Sequence, residues 1–281
     1  MARIAGESPR TARHIKLSPP SVADPVVLCC EISGDGPPLI LVPGLGDTVW
    51  VWRHLVPVIQ QRSRVLAAEL RGHGRSASPA GPYTAGEMAG DLFRIAEELG
   101  IFRPTFIAQG FGARLALLLA IERPGFAAGL VLIGAETGPP QSAAAAEMRD
   151  HAARGDLGAA YKSRKEIIPA PRGMSPKERA EHHRIFLRNT PTGYAAACAA
   201  VEGAPGLTER LGEIDCPVLA LAGERDKARH ADARRLAELI SDCSAAIIDG
   251  AGHFVQLDAP ESFQVVLEDF LGEHLLIAPK K

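Results

Sequence analysis

Two residues in the last quarter of the chain could work together as an acid–base pair. Asp226 lies just after the apolar run at residues 217–223, and His253 lies just after the run at residues 245–250. A carboxylate beside an imidazole fixes the tautomer of the ring and leaves its other nitrogen as a base near neutral pH. Taken alone, Asp226 could cap the next helix and His253 could be a core histidine. Because both follow strand-like runs, we predict a coupled catalytic pair.

The position that such a pair would activate carries no side chain. The stretch TFIAQGFGARLAL at residues 105–117 predicts a short strand, a Gly-rich corner and the start of a helix. This is the layout of a nucleophile elbow, whose central residue should be a Ser, Cys or Asp. Here the central residue is Gly110. Glycine adopts a positive φ freely, so the corner can persist without a nucleophile.

Backbone groups around this corner could stabilise a developing negative charge. The turn PGLGDT at residues 43–48 follows an apolar run and can direct the N–H of Leu45 into a pocket. The N–H of Phe111, at the start of the helix after Gly110, provides a second donor. Two such donors would form an oxyanion hole. Gln109, next to the corner, is predicted to line the substrate pocket.

No other residue is expected to replace the nucleophile. Cys29 and Cys30 come early, on a predicted edge-side strand where thiols serve in packing. Cys198 falls in a helical region, and Ser76 falls in a turn. Asp47 is close to the glycine turn, where a carboxylate more often caps the following helix.

The elements that must position these residues form an alternating pattern. Helical segments lie between the apolar runs; one opens with Thr84 and Glu87 in capping-box spacing, and another has Pro260 in its first turn. The pattern predicts an α/β fold with a mostly parallel, doubly wound sheet, whose strands end at one edge. The apolar runs lie at residues 38–42, 64–70, 105–108, 129–134, 217–223 and 245–250.

The alternation is interrupted between about residues 136 and 213. That region is Ala-rich and helical, with Pro and Gly punctuation and no convincing strand. An ordinary crossover would be unusually long for a segment without strands. We therefore predict a helical cap at residues 136–213 over a core made of residues 1–135 and 214–281.

The composition gives no reason to expect a macromolecular or membrane partner. The net charge of -2 does not favour binding to nucleic acid or to an anionic membrane surface. No apolar run approaches the roughly 20 residues that span a bilayer, and the N-terminus lacks the apolar segment of a secretory signal. We expect a small-molecule substrate and a monomer or homodimer.

Cysteine and histidine usage points to a cytoplasmic protein without a metal. The five cysteines are odd in number and show no C-x-x-C spacing, so we expect reduced thiols. His182 and His183 are adjacent and would diverge by about 100° on a helix, so we interpret them as surface residues. No metal or organic cofactor is expected.

Aromatic residues near the candidate sites predict an apolar pocket wall, although the helical core competes for the same residues. Arg53, Arg114 and Arg188 could meet an acidic substrate, but a solvated surface is the simpler role for each. The predicted pocket residues are Gln109, Trp50, Tyr161, Tyr194 and Phe254.

From about Cys29 to Leu271 the chain resembles the α/β-hydrolase superfamily. The order of elbow, acid and histidine and the stretch ELRGHGRSASPAGPYT match its pattern. The resemblance implies that Asp226 is the triad acid and His253 the triad base, with Leu45 and Phe111 as oxyanion donors. The segments GPYTAGEMAGDL and PTGYAAACAAVEGAPGLTERLGEIDCPVLALAGERD are similar to 3-oxoadipate enol-lactonases, with C–C bond hydrolases close behind.

Two positions depart from the family pattern. Gly110 stands at the nucleophile, and Pro43 stands where relatives usually have the His of a His-Gly pair. We expect a cofactor-independent enzyme in which the His253–Asp226 pair acts as a general base. Acting on a small apolar carbonyl substrate, it would either hydrolyse a lactone, ester or diketone through water, or abstract a proton as a lyase or cyclase does. The alternatives are a non-catalytic ligand-binding or interaction protein on the same fold and an inactivated Ser-to-Gly variant of a serine hydrolase.

Overall fold

A computed structural model describes residues 11–17, 26–139, 142–274 and 276–278. The strands are β1 (Thr11–Leu17), β2 (Val26–Ser33), β3 (Pro38–Val42), β4 (Arg64–Ala68), β5 (Thr105–Gln109), β6 (Gly129–Ile133), β7 (Val218–Gly223) and β8 (Cys243–Ile248). They form one sheet with the order β1-β2-β4-β3-β5-β6-β7-β8. β2 is antiparallel to both of its neighbours, and every pairing from β4 to β8 is parallel.

Helices connect the parallel strands and begin where the sequence signals indicate. The side chain of Thr84 accepts a hydrogen bond from the N–H of Glu87, and the side chain of Glu87 accepts one from the N–H of Thr84, so the predicted capping box is confirmed. The helices are α1 (Val56–Ile59), α2 (Ala85–Glu98), α3 (Phe111–Glu122), α4 (Ser142–Ala153), α5 (Leu157–Ile167), α6 (Pro176–Phe186), α7 (Pro191–Glu202), α8 (Lys227–Leu239), α9 (Val255–Asp258) and α10 (Pro260–Glu273), with 3-10 turns at Val49–Trp52 and Thr208–Glu213.

Both faces of the sheet are covered, which confirms the doubly wound arrangement. In β3, Leu39 and Leu41 pack in the core on the side of α1, α9 and α10, whereas Ile40 and Val42 pack in the core on the side of α2, α3 and α8. All four are fully buried. Because successive residues of a strand point to opposite faces, a strand covered on both sides is apolar throughout.

Among its described residues, the segment between β6 and β7 contains helices joined by loops and no strand. α4 packs against α5 and α7, and buried side chains of α4, α5, α6 and α7 form an apolar cluster of their own. Ala196, Ala197 and Ala200 of α7 instead belong to the core on the side of α2, α3 and α8. A cluster of its own is what a cap requires. We therefore retain residues 136–213 as a proposed cap, and residues 1–135 and 214–281 as the proposed core. None of the described helices combines the length and the apolar character of a membrane span.

Candidate active site

Asp226 and His253 meet at the carboxyl edge of the sheet. Asp226 lies between β7 and α8, and His253 lies in the loop between β8 and α9. Oδ2 of Asp226 is 2.7 Å from Nδ1 of His253. The Asp226 side chain makes no capping hydrogen bond to α8, so its carboxylate is available to the imidazole. With Nδ1–H donated to the carboxylate, Nε2 is the ring nitrogen that can act as a base.

Gly110 forms the corner between β5 and α3, opposite this nitrogen. Its backbone has φ +56° and ψ −119°, a conformation in which a residue with a Cβ is strained. An ideal Cβ on Gly110 would lie 3.1 Å from Nε2 of His253. The N–H of Gly110 donates to the carbonyl of Ile133 at 2.8 Å, which ties the corner to β6. The imidazole therefore faces the elbow position.

Leu45 and Phe111 line the same cavity as Gly110 and His253. Leu45 lies in the loop after β3, and Phe111 is the first residue of α3. Within the described part of the chain, neither backbone N–H donates a hydrogen bond. The first N–H groups of a helix lack an intrahelical acceptor and suit a negatively charged ligand. These amides are thus free to serve as oxyanion donors, and that role remains our prediction.

The cavity has a volume of about 250 Å³ and a mixed wall. Gln109 lines it beside the corner. Apolar side chains come from both the core and the proposed cap; they include Leu45, Phe111, Met148, Ile167, Ile168 and Val201. Besides the Asp226–His253 pair, the charged residues of the wall are Asp47, Arg114, Glu136, Arg164 and Arg229. A compact chamber with a mainly apolar wall and a few charged groups suits a small carbonyl compound.

The aromatic pocket predicted from the sequence differs from the observed wall. Trp50, Tyr161, Tyr194 and Phe254 do not line this cavity. Tyr161 and Tyr194 belong to the apolar cluster of the cap helices, where both rings contact the ring of Phe186. The helices between β6 and β7 pack on one another, and these large side chains fill the apolar cluster between them.

Trp50 and Phe254 also have packing partners that keep them out of the wall. The Trp50 ring stacks on the imidazole of His182. The Arg53 guanidinium lies 3.7 Å from the centre of the Trp50 ring. Trp50 borders a separate surface cavity. Phe254 is buried and packs edge-on against the rings of His253 and His182. Phe254 therefore packs against the imidazole of His253 and is not part of the cavity wall.

Asp47, expected only to cap a helix, lies at the centre of a buried charge cluster. Its Oδ2 is 2.5 Å from Nη2 of Arg164 in α5, and its Oδ1 is 2.7 Å from Nε2 of His182 in α6. Each side chain is at most 3% exposed. Burial opposes ionisation of Asp47, but Arg164 and the hydrogen bond from His182 hold the pKa of its carboxyl below the usual value. His182 is 2% exposed, so the prediction that it lies on the surface is wrong; its hydrogen-bond partner, Asp47, is 135 positions away in the sequence. His183 is exposed, as predicted.

Arg114 is also buried, contrary to the surface role expected for it. Nη1 donates to the carbonyl of Pro205 at 2.7 Å, and Nη2 donates to the carbonyl of Gly138. Glu136 lies 3.7 Å from Arg114 and 3.2 Å from Arg229. Arg114 lies in the first turn of α3, directly after the corner at Gly110, and this position in the sequence could have indicated that it lies near the cavity. Nothing in the local sequence pointed to Arg164.

The thiols and Ser76 lie outside the cavity. Burial raises the pKa of Cys29 to about 11 and the pKa of Cys198 to about 12, which disfavours the reactive thiolate. The hydroxyl of Ser76 donates to the carbonyl of Glu69 at 2.7 Å. Among the described residues, no group of three or more His, Cys, Asp and Glu side chains could hold a metal ion.

A sequence profile of the alpha/beta hydrolase fold family matches residues 37–260, which is most of the chain. The chain belongs to this family. One relative of this α/β-hydrolase fold protein is 3-oxoadipate enol-lactonase 2 of Acinetobacter baylyi. The two sequences are 27% identical over 239 residues. The aligned region covers 83% of this chain and 88% of the relative.

Solved structures of other α/β hydrolases share the fold. An esterase from Thermogutta terrifontis superimposes with a TM-score of 0.84 at 24% identity, covering 93% of this chain and 99% of that one. An enol-lactonase from Burkholderia xenovorans gives a TM-score of 0.81 at 24% identity, covering 88% of this chain and 97% of that one. At these identities the likeness shows the shared fold alone.

Proposed function

We propose that the protein hydrolyses a small ester or lactone, with His253 as general base and water in place of a side-chain nucleophile. The observation that carries the proposal is the position of Nε2 of His253, 3.1 Å from the point where a Cβ on Gly110 would lie. A base in that position can deprotonate a water molecule bound beside Gly110. The similarity to a relative named 3-oxoadipate enol-lactonase 2 supports a lactone or another ester as substrate.

The reaction begins with attack of water on the substrate carbonyl. Nε2 of His253 takes one proton while an electron pair of the water oxygen forms a bond to the carbonyl carbon. The π electrons of the carbonyl move to its oxygen, which accepts hydrogen bonds from the N–H groups of Leu45 and Phe111. Asp226 stabilises the imidazolium that forms, since its carboxylate is 2.7 Å from Nδ1.

Collapse of the tetrahedral intermediate completes the reaction. The carbonyl double bond re-forms, the bond to the leaving oxygen breaks, and the proton on Nε2 passes to that oxygen. An ester gives a carboxylic acid and an alcohol, whereas a lactone gives both groups in one molecule. Where the leaving group is an enol, it becomes a ketone. A positioned base contributes about 10²–10⁴-fold, and an oxyanion hole with substrate binding about 10³–10⁴-fold, so an activated ester or enol-lactone is the suitable substrate.

The proposal is tested with His253→Ala and with His151→Ala as the matched control. His151 is not among the residues that line the cavity, so its replacement should leave turnover unchanged. Using p-nitrophenyl acetate and α-angelica lactone, we expect His253→Ala to lower kcat by on the order of 10²-fold or more. Equal turnover above the uncatalysed rate in both proteins would show that the imidazole is not the base. Turnover at the uncatalysed rate in both would indicate a binding protein on this fold.

A covalent probe tests the absence of a serine nucleophile separately. A fluorophosphonate labels the activated serine of a serine hydrolase, and we expect no labelled serine in this chain after tryptic digestion and mass spectrometry. A labelled serine that disappears in His253→Ala would contradict the water mechanism while leaving His253 as the base.

A further inference from the structure

Gln109 is the residue before the corner, and its side-chain amide makes no hydrogen bond in the described part of the chain. The residue is 1% exposed and lines the same cavity as His253 and Gly110. Its Oε1 atom is enclosed and unpaired. Buried polar groups are nearly always hydrogen-bonded, and an exception at a functional cavity suggests a partner that binds there.

The neighbouring loop is shaped to receive this amide. An ideal Cβ on Gly44 would lie 2.6 Å from Oε1 of Gln109, closer than a side chain allows. Glycine at position 44 therefore lets the amide lie against the loop that carries Leu45. The Cα of Gly44 is in turn 3.9 Å from an ideal Cβ on Gly110. The amide thus lies beside both the corner and the predicted oxyanion loop.

We propose that the Gln109 amide holds the attacking water, an inference that rests on the proposed function. A water that gives one proton to His253 and one electron pair to the substrate retains one hydrogen and one electron pair. Because Oε1 is enclosed against Gly44, the Nε2 end of the primary amide is the group that would donate a hydrogen bond to the remaining electron pair. Two other polar residues of the wall are already engaged, because Asp47 pairs with Arg164 and Arg114 donates to two carbonyls.

This role predicts that the importance of Gln109 depends on the nucleophile. A serine hydroxyl is held at the corner by its own covalent bond and needs no amide to fix it, whereas a free water does. The test therefore compares Gln109→Met, which keeps the length of the side chain and removes the amide, in two backgrounds. One background is the natural chain, and the other carries Gly110→Ser.

With p-nitrophenyl acetate in the natural background, we expect Gln109→Met to lower kcat by on the order of 10-fold with little change in KM. In the Gly110→Ser background we expect the rate of the initial burst of p-nitrophenolate to stay within about 2-fold, because the burst reports acylation by the hydroxyl. Near-UV circular dichroism confirms that each variant is folded. If Gln109→Met does not fold, Gln109→Ala takes its place with the same expected pattern.

Two results would overturn the role of Gln109. One is an unchanged kcat in the natural background, and the other is an equal loss in both backgrounds, which would place the amide on the substrate or the oxyanion loop. Measuring His253→Ala in parallel separates failure of the role of Gln109 from failure of the proposed function. If His253→Ala is inactive while Gln109→Met is normal, the base mechanism holds and only the role of Gln109 is wrong; if His253→Ala is fully active, both proposals fail.

Discussion

Replacing Gly110 by serine would put a hydroxyl at the corner between β5 and α3, and the structure sets the accompanying loss of stability. At φ +56° a side chain is strained by about 1–3 kcal/mol. The new Cβ would lie 3.1 Å from Nε2 of His253, so the imidazole must also move back by a few tenths of an ångström. At about 2–4 °C per kcal/mol for a chain of this size, we expect the melting temperature to fall by about 2–12 °C.

The same substitution should increase esterase activity. A hydroxyl beside Nε2 is a tethered nucleophile that the base can activate, so we expect kcat/KM on p-nitrophenyl acetate to rise by on the order of 10²-fold. A fluorophosphonate should label the introduced hydroxyl. The matched control is Gly110→Ala, which adds the same strain and the same Cβ contact without the hydroxyl. It should show the same fall in melting temperature and no gain of activity.

The outcome that refutes this reasoning is specific. If the Gly110→Ser variant is folded by circular dichroism, yet shows neither new turnover nor covalent labelling, then His253 cannot activate an oxygen at this corner. The distance of 3.1 Å from Nε2 to the Cβ position would then have no catalytic meaning.

Three further predictions follow from the site. Asp226→Asn should lower kcat by on the order of 10²-fold or more with KM within about 3-fold; unchanged kcat would show that the imidazole works without the carboxylate. Because the pKa of Asp47 is lowered in the folded state, it contributes stability above the ordinary carboxyl pKa of about 4 that is lost as the pH falls. The free energy of unfolding of Asp47→Asn should therefore be about 3–5 kcal/mol lower at pH 7, and should fall less steeply than that of the wild type as the pH is lowered. Urea titrations at a series of pH values test this, and the same pH dependence in both proteins would contradict it. Tyr161→Phe should leave KM for esters within about 2-fold, whereas Met148→Trp, in the cavity wall, should raise KM. A raised KM in Tyr161→Phe with an unchanged KM in Met148→Trp would instead support the aromatic pocket predicted from the sequence.

The sheet and the His253–Asp226 contact could be anticipated because their signals are local. Each apolar run of a strand is continuous, since both of its faces are covered, as Leu39 and Ile40 show in β3. Parallel strands end at a common edge, so residues that follow β7 and β8 meet there without any knowledge of packing. The corner at Gly110 was recognisable for the same reason, because strand, turn and helix succeed one another within 13 residues.

The cavity wall could not be anticipated, because it depends on which face each cap helix presents. Asp47 meets Arg164 and His182 across 117 and 135 positions, and no spacing rule connects residues so far apart. Tyr194 is an aromatic residue of the kind that often lines a pocket, but its position on α7 directs it into the cluster that contains Phe186. Long-range ion pairs and the orientation of helices are set by tertiary packing alone.

Asp47 belongs to the same loop as Leu45, whereas Arg164 and His182 belong to two helices of the proposed cap. Moving those helices away from the loop would deprive the Asp47 carboxylate of both its partners, and would also disturb the loop that carries the predicted oxyanion donor Leu45. The ion pairs therefore oppose a wide opening of the proposed cap. Ile167, which is 46% exposed and also lines the cavity, marks a place where the cavity meets the protein surface.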